Sequence, residues 1–475
     1  VRVLFGKPQF RGPRNKARGC AFPIAASFTM TSQKDPMPDA AVYVGIVGLG
    51  TVGTGVAKVL SAHAQRIERR AGRPVLLRSA VVRDLSRPRG VDLPAGVLTD
   101  DIRAVLDDPN ISVAVHTVGG LHPAREILLQ LLESGKDVVT ANKALLCEFG
   151  DELFDRARKL GRTIAFEAAV AGGIPIIATV GQCLAANQIT SISAILNGTS
   201  NFILTQMTSQ GSSYHEALKS AQQAGYAEQD PTLDIDGTDA AQKLVILTQL
   251  AYGLKAPLAA FPRRGIDTLE LADLRYAGEL GYAVKLLAVS RLVGNELEMH
   301  VQPTLVRHHT PLAEIRGAFN AIALAGDVVG ETWYSGPGAG QMPTASAVVA
   351  DLIDVVAGRA RLTFPRLALW QEPSEFRLQP PEKIASRFYL RFNVLDRPHV
   401  LADLADILGR NEISIASVIQ HEAPEVQGNG AGRSQVVPLV IMTHRTTEGQ
   451  MRSAEQLLAA LPAIRPPHVR MGVAD

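Results

Sequence analysis

AVYVGIVGLGTVGTGVAKVL, residues 41–60, settles how the chain begins to fold. A β-branched apolar run ends in glycine, and Gly48, Gly50 and Gly53 follow in G-x-G-x-x-G spacing before a helix opens. A lone glycine triplet means little. Between a strand and a helix it has a mechanical sense. The glycines let the backbone approach a pyrophosphate. The helix start, Thr51, Val52 and Gly53, offers amide donors and the positive end of the helix dipole.

The pattern continues outward. VLLRSAVVRD (75–84) and ISVAVHTV (111–118) read as further strands, and DVVTANK (137–143) as a strand running into a loop. GVAKVLSAHAQRIERR and REILLQLLESGK read as helices between them. Alternation of this kind predicts a Rossmann-like, doubly wound parallel sheet over residues 40–165. Such sheets bind ligands at the C-terminal ends of their strands. Gly119, in a glycine pair after one strand, and Lys143, after the next, are therefore candidate contacts to cofactor or substrate. The second strand ends Val82–Arg83–Asp84. An acid there suits the ribose hydroxyls of NAD and an arginine the 2′-phosphate of NADP. Both are present. Arg83 leans the reading toward NADP, with NAD still open.

Residues 166–367 change character. Apolar strands such as SISAILNG, strong helices such as HEALKSAQQ and loops rich in Gly and Pro predict an α+β region with a mixed sheet. Ser213 and Glu216 have capping-box spacing. ALWQEPSEFRLQPPEK (368–383) reads as a linker. Residues 384–473 then follow the order βαββαβ, a ferredoxin-like unit, with EVQGNGAGRS as a flexible hairpin loop between its second and third strands. A cut near residue 380 is expected to leave a folded core.

The chain has 475 residues, 46% apolar and 20% charged, with net charge +2. This is the composition of a globular protein of about three domains. The charge implies neither a nucleic-acid partner nor an acidic membrane surface. No run approaches the roughly 18 uncharged apolar residues of a membrane span. Cys20, Cys147 and Cys183 lie far apart in no zinc or disulfide pattern, which suits a reducing, cytoplasmic compartment. Residues 1–38 stand outside the fold. They carry seven Lys or Arg, and no acid precedes Asp35. A transit peptide, which would direct the chain to an organelle, is one reading. Over-extended translation upstream of Met30 or Met37 is the other, and is preferred.

GYAEQDPTLDIDGTDAAQK (225–243) carries the chemistry. Glu228, Asp230, Asp234, Asp236 and Asp239 crowd into a short run that opens a helix. On it Asp239 and Lys243 are one turn apart, and their face continues into apolar Ile246 and Leu250. On its own the pair is more plainly an ordinary intrahelical ion pair. At the head of a buried stripe, a desolvated lysine beside a carboxylate is a proton-transfer candidate.

GLGTVG, TANKALL, FEAAVAGGIPII, ILNGTSNFIL, AQQAGYAEQDPTLDIDGTDAAQK and GPGAGQMPTASAVVADL run in order over about residues 41–470. Together they resemble homoserine dehydrogenase in the form with a C-terminal ACT domain. The acidic and NGTSN segments are specific; GLGTVG alone is not. The family interconverts L-aspartate 4-semialdehyde and L-homoserine with a nicotinamide cofactor. The resemblance implies Lys243 as proton donor to the aldehyde oxygen, with Asp239 and Lys143 beside it at the catalytic centre. It implies Glu228 at the substrate ammonium, with Asp234 and Lys143 as further substrate contacts. Gly340 would close over the cofactor. The chain would return to the nucleotide domain near 336–365. A sodium site at Glu167, Val170, Gly172 and Ile174, a homodimer or homotetramer, and a threonine effector at residues 384–473 rest on the resemblance alone.

The residue types suit that chemistry. Hydride addition puts negative charge on the aldehyde oxygen, which an ammonium stabilises and protonates. The acidic run lacks the register of an EF-hand loop. Two departures stand out. His116–Thr117 replaces an acid usual near the strand end, and reads as a packed or hydrogen-bonded histidine. Asp396–Arg397–Pro398–His399–Val400 replaces D-x-P-G-V, and His399 would remove the freedom a glycine gives an effector to approach the backbone, which puts threonine feedback in question. A non-catalytic amino-acid sensor would not need the acids and lysines together. A phosphorylating aldehyde dehydrogenase would need a cysteine nucleophile; Cys147 follows the apolar Leu145–Leu146 and is expected to be buried.

Overall fold

The computed structural model describes residues 41–367, 369, 374–420 and 436–474. The basic N-terminal segment, the EVQGNGAGRS loop and part of the 368–383 stretch lie outside the described residues.

The first sheet is built from β1 (Val42–Val47), β2 (Val75–Val81), β3 (Leu98–Thr99), β4 (Ile111–His116), β5 (Asp137–Thr140) and β6 (Ile164–Ala165). Its order is β3-β2-β1-β4-β5-β6, all parallel. β1 lies between β2 and β4, so the order reverses beside it. Its apolar residues Val44 and Ile46 are wholly buried, as a strand covered on both faces requires. The helix Gln341–Val356, far along the chain, packs against the first helix, Thr51–Ala62. Gln341 donates to the Thr51 carbonyl at 3.1 Å.

Asn142 accepts from the Leu145 amide at 3.0 Å and so caps the helix Lys143–Lys159. The loop expected at 141–143 is thus only a step into a helix whose first residue is Lys143. An asparagine before a run of helix formers was the missed signal.

The second sheet holds β7 (Ile189–Ile195), β8 (Tyr282–Val293), β9 (Glu296–Arg307), β10 (Phe319–Gly326) and β11 (Gly330–Pro337). These five pair antiparallel in the order β11-β10-β7-β8-β9. The expected mixed character enters at the edge. There β9 pairs parallel with the short β12 (Arg377–Leu378) and with the last strand of the chain.

That last strand, β17 (Ile464–Val473), belongs to a βαββαβ unit with β13 (Ala385–Leu395), β14 (Ile415–Ile419) and β15 (Val436–Thr443). Its order is β17-β13-β15-β14, antiparallel throughout; a two-residue strand, β16 (Thr446–Thr447), flanks β13. One face has its own core of Phe388, Leu390, Phe392, Leu404, Leu408 and Met451. The other face, with Tyr389, Val440, Met442, Val469 and Met471, joins the core of the preceding region. Arg391, 1% exposed, donates to Asp273, 0% exposed, at 2.6 and 3.1 Å. The unit thus has the core of its own on which the expected cut near residue 380 rests, and it shares a second one with the region before it, which such a cut would expose.

His399 takes φ 75, ψ −12, the left-handed turn usually given to glycine, and starts the helix Val400–Arg410. The D-x-P-x-V turn keeps its backbone shape. What changes from glycine is the added side chain.

Candidate functional site

The acids of residues 228–239 part company in the fold. Asp230 bonds the Thr232 amide and hydroxyl, and Asp236 those of Thr238, so both serve their own turns. The Asp236 turn, with Gly237 at φ 84, starts the helix Thr238–Tyr252 and aims Asp239 and Lys243 inward.

Asp239 is the hub. Its Oδ2 lies 2.7 Å from Lys243 Nζ and its Oδ1 lies 3.0 Å from Lys143 Nζ. Asn197, from the NGTSN segment, donates to Asp239 Oδ2 at 2.9 Å and to Asp234 Oδ1 at 2.8 Å. The Asn197 side-chain oxygen Oδ1 accepts from the Ser200 amide and so caps the helix Gly198–Gln210. Lys243 donates a second time, at 2.7 Å, to the Leu196 carbonyl. An ammonium has three N–H groups; the third has no acceptor among the described residues. Lys143 is the more open lysine, with 39% of its side chain exposed against 10% for Lys243. Glu228 is exposed, close enough that its charge favours the Lys143 ammonium.

Burial sets the electrostatics. It lowers the Lys243 pKa below that of an ordinary lysine; the Asp239 carboxylate opposes the shift and the Lys143 charge adds to it. The nearby Asp239 carboxylate raises Lys143. Burial works against the Asp239 charge, but the two ammonium groups outweigh it and hold its carboxyl well below the usual range. Burial raises Asp234, and the adjacent Asp239 charge reinforces this against the Asn197 hydrogen bond. Two lysines a turn and a domain apart thus share one carboxylate and differ in the direction of their shifts.

The glycine loop stands at the other end of the site. Gly48 has φ 96, and a side chain on Gly53 would lie 2.1 Å from the Gly48 carbonyl, so neither tolerates another residue. At Gly50 a side chain would meet nothing within 4 Å, and no side chain caps the helix there. The amides of the first helical turn, at Thr51, Val52 and Gly53, have no acceptor within the helix and so remain donors beside the open space at Gly50, where a bound phosphate could lie. Gly119 is likewise bordered by open space, and Asn142 holds the strand-end loop by donating to the Val118 and Gly120 carbonyls at 2.9 and 2.7 Å. Gly340, φ 114, starts the Gln341–Val356 helix with no side-chain cap. Arg83 is exposed. Asp84 bonds Ser86, whereas Arg89 donates to the Leu49 carbonyl at 3.2 Å and to the Asp84 carbonyl, which puts its guanidinium against the glycine loop.

Glu167, Val170, Gly172 and Ile174 fall on one tight turn. Ala171 and Gly172 have φ 54 and 44. The Val170 and Gly172 carbonyls accept no hydrogen bond among the described residues, and those of Glu167 and Ile174 accept one each. The Glu167 carboxylate is used by the Ile177 and Ala178 amides. A turn that leaves carbonyl lone pairs over offers oxygen ligands of the kind a hard cation takes.

His116 is wholly buried, hydrogen-bonded to Thr140 at 3.1 Å, and desolvation lowers its pKa to about 4. It is a packed neutral ring, as its sequence position suggested. Burial pushes the Cys147 thiol up to about 12, which disqualifies it as a nucleophile.

Family models for "Homoserine dehydrogenase, NAD binding domain", "Homoserine dehydrogenase" and "ACT domain" match residues 48–167, 175–353 and 388–463. The chain is 43% identical to homoserine dehydrogenase of Pseudomonas aeruginosa, over 91% of this chain and 98% of that one. The chain belongs to the homoserine dehydrogenase family. Homoserine dehydrogenase of Bacillus subtilis is 37% identical, over 90% of this chain and 96% of its own. The crystal structure of homoserine dehydrogenase from Thiobacillus denitrificans superposes with TM-score 0.83 at 42% identity, covering 92% and 99% of the two chains. A hyperthermophilic archaeal homoserine dehydrogenase in complex with NADPH superposes at 0.58 and 28%, over 69% of this chain and all of that one. The activity is thus the nicotinamide-dependent interconversion of L-aspartate 4-semialdehyde and L-homoserine in amino-acid biosynthesis, on a Rossmann-like domain, a mixed-sheet region and an ACT domain.

Of the residues predicted for this homoserine dehydrogenase site, Lys143, Asp234, Asp239 and Lys243 come together directly. Sequence reasoning passed over Asn142, Asn197 and Arg89. The two asparagines stand where helices begin, which is a legible signal, but which carboxylate or carbonyl each would also reach is a tertiary fact.

Proposed function

We propose that Lys243 exchanges the proton at the reacting oxygen, with Asp239 as the group that fixes it and Lys143 as the second cation of the site. The observation that carries this reading is the third N–H of a buried ammonium, without an acceptor among the described residues, whose other two are held by Asp239 and Leu196. A nicotinamide held at the Gly48–Gly53 loop would supply the hydride acceptor for oxidation and the hydride donor for reduction. As the alcohol carbon is oxidised, the hydroxyl proton passes to neutral Lys243 Nζ; in reduction Lys243 returns it to the developing alkoxide. Glu228 and Asp234 supply negative charge for the substrate ammonium. Burial, which favours the neutral amine, eases donation of the proton in reduction and keeps the amine neutral, ready for oxidation, at lower pH than an ordinary lysine.

NADP is the preferred cofactor in this reading. Thr51, Val52 and Gly53 amides, with Gly48, Gly50, Gly119, Lys143 and Gly340 around them, would hold the dinucleotide, and Arg83 with Arg89 would face a 2′-phosphate. Sodium is the proposed occupant of the Glu167–Ile174 turn, supported by its unused carbonyls. Threonine is the proposed effector of a cavity of about 510 Å³ lined by Asp396–Ala402, Ala405, Gln420 and Leu439. A homodimer or homotetramer is supported by Phe319, Val328, Val329 and Trp333, all exposed on the outer β10–β11 hairpin. The exposed free thiol of Cys183 favours a reducing, cytoplasmic setting. The domain limits 40–165, 166–367 and 384–473 are proposed as functional units.

Initial rates of homoserine oxidation with NAD and NADP side by side, with and without threonine, test these points. Faster turnover with NADP that falls on Arg89→Ala supports the cofactor assignment, and equal rates with NAD oppose it. Inhibition by threonine supports the effector site, and indifference opposes it.

A further inference from the structure

Asn320 sits on β10, wholly buried, and donates through Nδ2 to the Leu196 carbonyl at 2.9 Å. This is the same oxygen that accepts from Lys243. The other end of the amide, Oδ1, is buried with no partner among the described residues. A buried polar oxygen left unpaired costs folding energy, so a merely structural role is better served by an apolar side chain. The amide is also pressed against the cofactor side. A side chain on Gly338 would stand 2.0 to 2.3 Å from the Asn320 amide atoms, and one on Gly172 would stand 2.7 Å from the Gly338 carbonyl. Gly338 therefore lies between Asn320 and the Glu167–Ile174 turn, two residues before Gly340.

We propose that Asn320 is a positioning residue for Lys243, fixing the Leu196 carbonyl that holds the ammonium and seating that carbonyl against the Gly338–Gly340 segment. The proposal rests on the reading of Lys243 as the proton-transfer group. With the amide removed, the Leu196 carbonyl is free to turn away. The ammonium then loses an acceptor and its charged form loses support. The two nitrogens share one acceptor oxygen, so residue 320 is within about two hydrogen-bond lengths of Nζ.

The test is a pair of variants, Asn320→Ala and Asn320→Asp, with turnover followed against pH and NADP(H) affinity measured separately by fluorescence. Asn320→Ala is expected to lower kcat about 10- to 100-fold, leave cofactor affinity within about twofold, and move the pH limb of homoserine oxidation to lower pH. Asn320→Asp, which brings a carboxylate near the ammonium, moves the limb to higher pH. A folding defect alone would lower thermal stability and the active fraction without moving the limb. Should both variants keep the wild-type limb, the proposal is overturned. Lys243→Met, assayed alongside, separates the two layers: an inactive Lys243→Met with unmoved Asn320 variants defeats the positioning role alone, and an active Lys243→Met defeats the reading beneath it.

Discussion

Lys143 and Asp239 meet at 3.0 Å, one at the start of the helix that joins β5 to β6 of the parallel sheet, the other in the first turn of a helix packed under the antiparallel one. The contact ties the nucleotide-binding half to the half that carries Lys243. It also leaves one carboxylate to neutralise two ammonium groups. Asp239→Asn removes that charge while keeping the shape. Lys243 loses its counter-ion and falls further in pKa, and Lys143 loses the main cause of its rise. The expected outcome is a loss of kcat of roughly 100-fold or more, with the pH limb of oxidation moved to lower pH. Steady-state rates over a pH series check it; unchanged rates would show that Asp239 is dispensable.

Lys285 gives stability a pH dependence of its own. It lies buried on β8, with donations to Asn201 and to the Ile315 carbonyl, and desolvation lowers its pKa to about 8 from 10.5. Between those values the unfolded chain binds more protons than the folded one, so stability rises with pH across that window. The penalty is present below about 8 and is on the order of 3 kcal/mol. Denaturant unfolding at pH 7 and pH 10, compared with Lys285→Met, measures it. The variant should lose this rise.

His399 holds a left-handed turn at φ 75. For a residue with a side chain this costs about 1–2 kcal/mol, part of which glycine gives back through its freer unfolded state. His399→Gly should therefore stabilise the protein by about 0.5–1 kcal/mol. A midpoint in denaturant that does not rise would mean the imidazole makes a compensating contact.

Arg391 and Asp273 form the buried joint between the ACT unit and the mixed-sheet region. Arg391→Met leaves Asp273 buried without its counter-ion, held only by the Tyr389 hydroxyl and the Glu270 amide, a loss of about 3–5 kcal/mol. Removing residues after 380 exposes Asp273 together with the apolar face that Tyr389, Met442 and Met471 cover. The truncated chain should unfold at lower temperature or aggregate. Calorimetry of both proteins decides the point, and a truncated chain as stable as the full one would show that the joint is not structural.

Local relationships were legible and tertiary ones were not. The glycine loop is a contiguous signal whose strand and helix flank it in sequence. The Asp239–Lys243 pair is one helical turn. The ferredoxin-like order of residues 384–473 follows from the changing apolar period. By contrast, the acids at 230, 234, 236 and 239 look alike in the chain, and only the fold shows that Asp230 and Asp236 serve their own backbones. Asp84 looked available for a ribose but is turned onto Ser86, while Arg89 reaches back to the loop. The parallel pairing of β9 with β17, which makes one sheet of two regions, joins segments too far apart for any periodicity to register.

The most direct test of the central claim is pre-steady-state hydride transfer in Lys243→Met with cofactor and homoserine already bound. The account predicts transfer slowed by about 10²-fold or more and NADP affinity unchanged. It also predicts loss of the pH limb, which in the wild type rises below the ordinary lysine value of 10.5 because burial favours the neutral amine. Hydride transfer at the wild-type rate, with the limb retained, would contradict it.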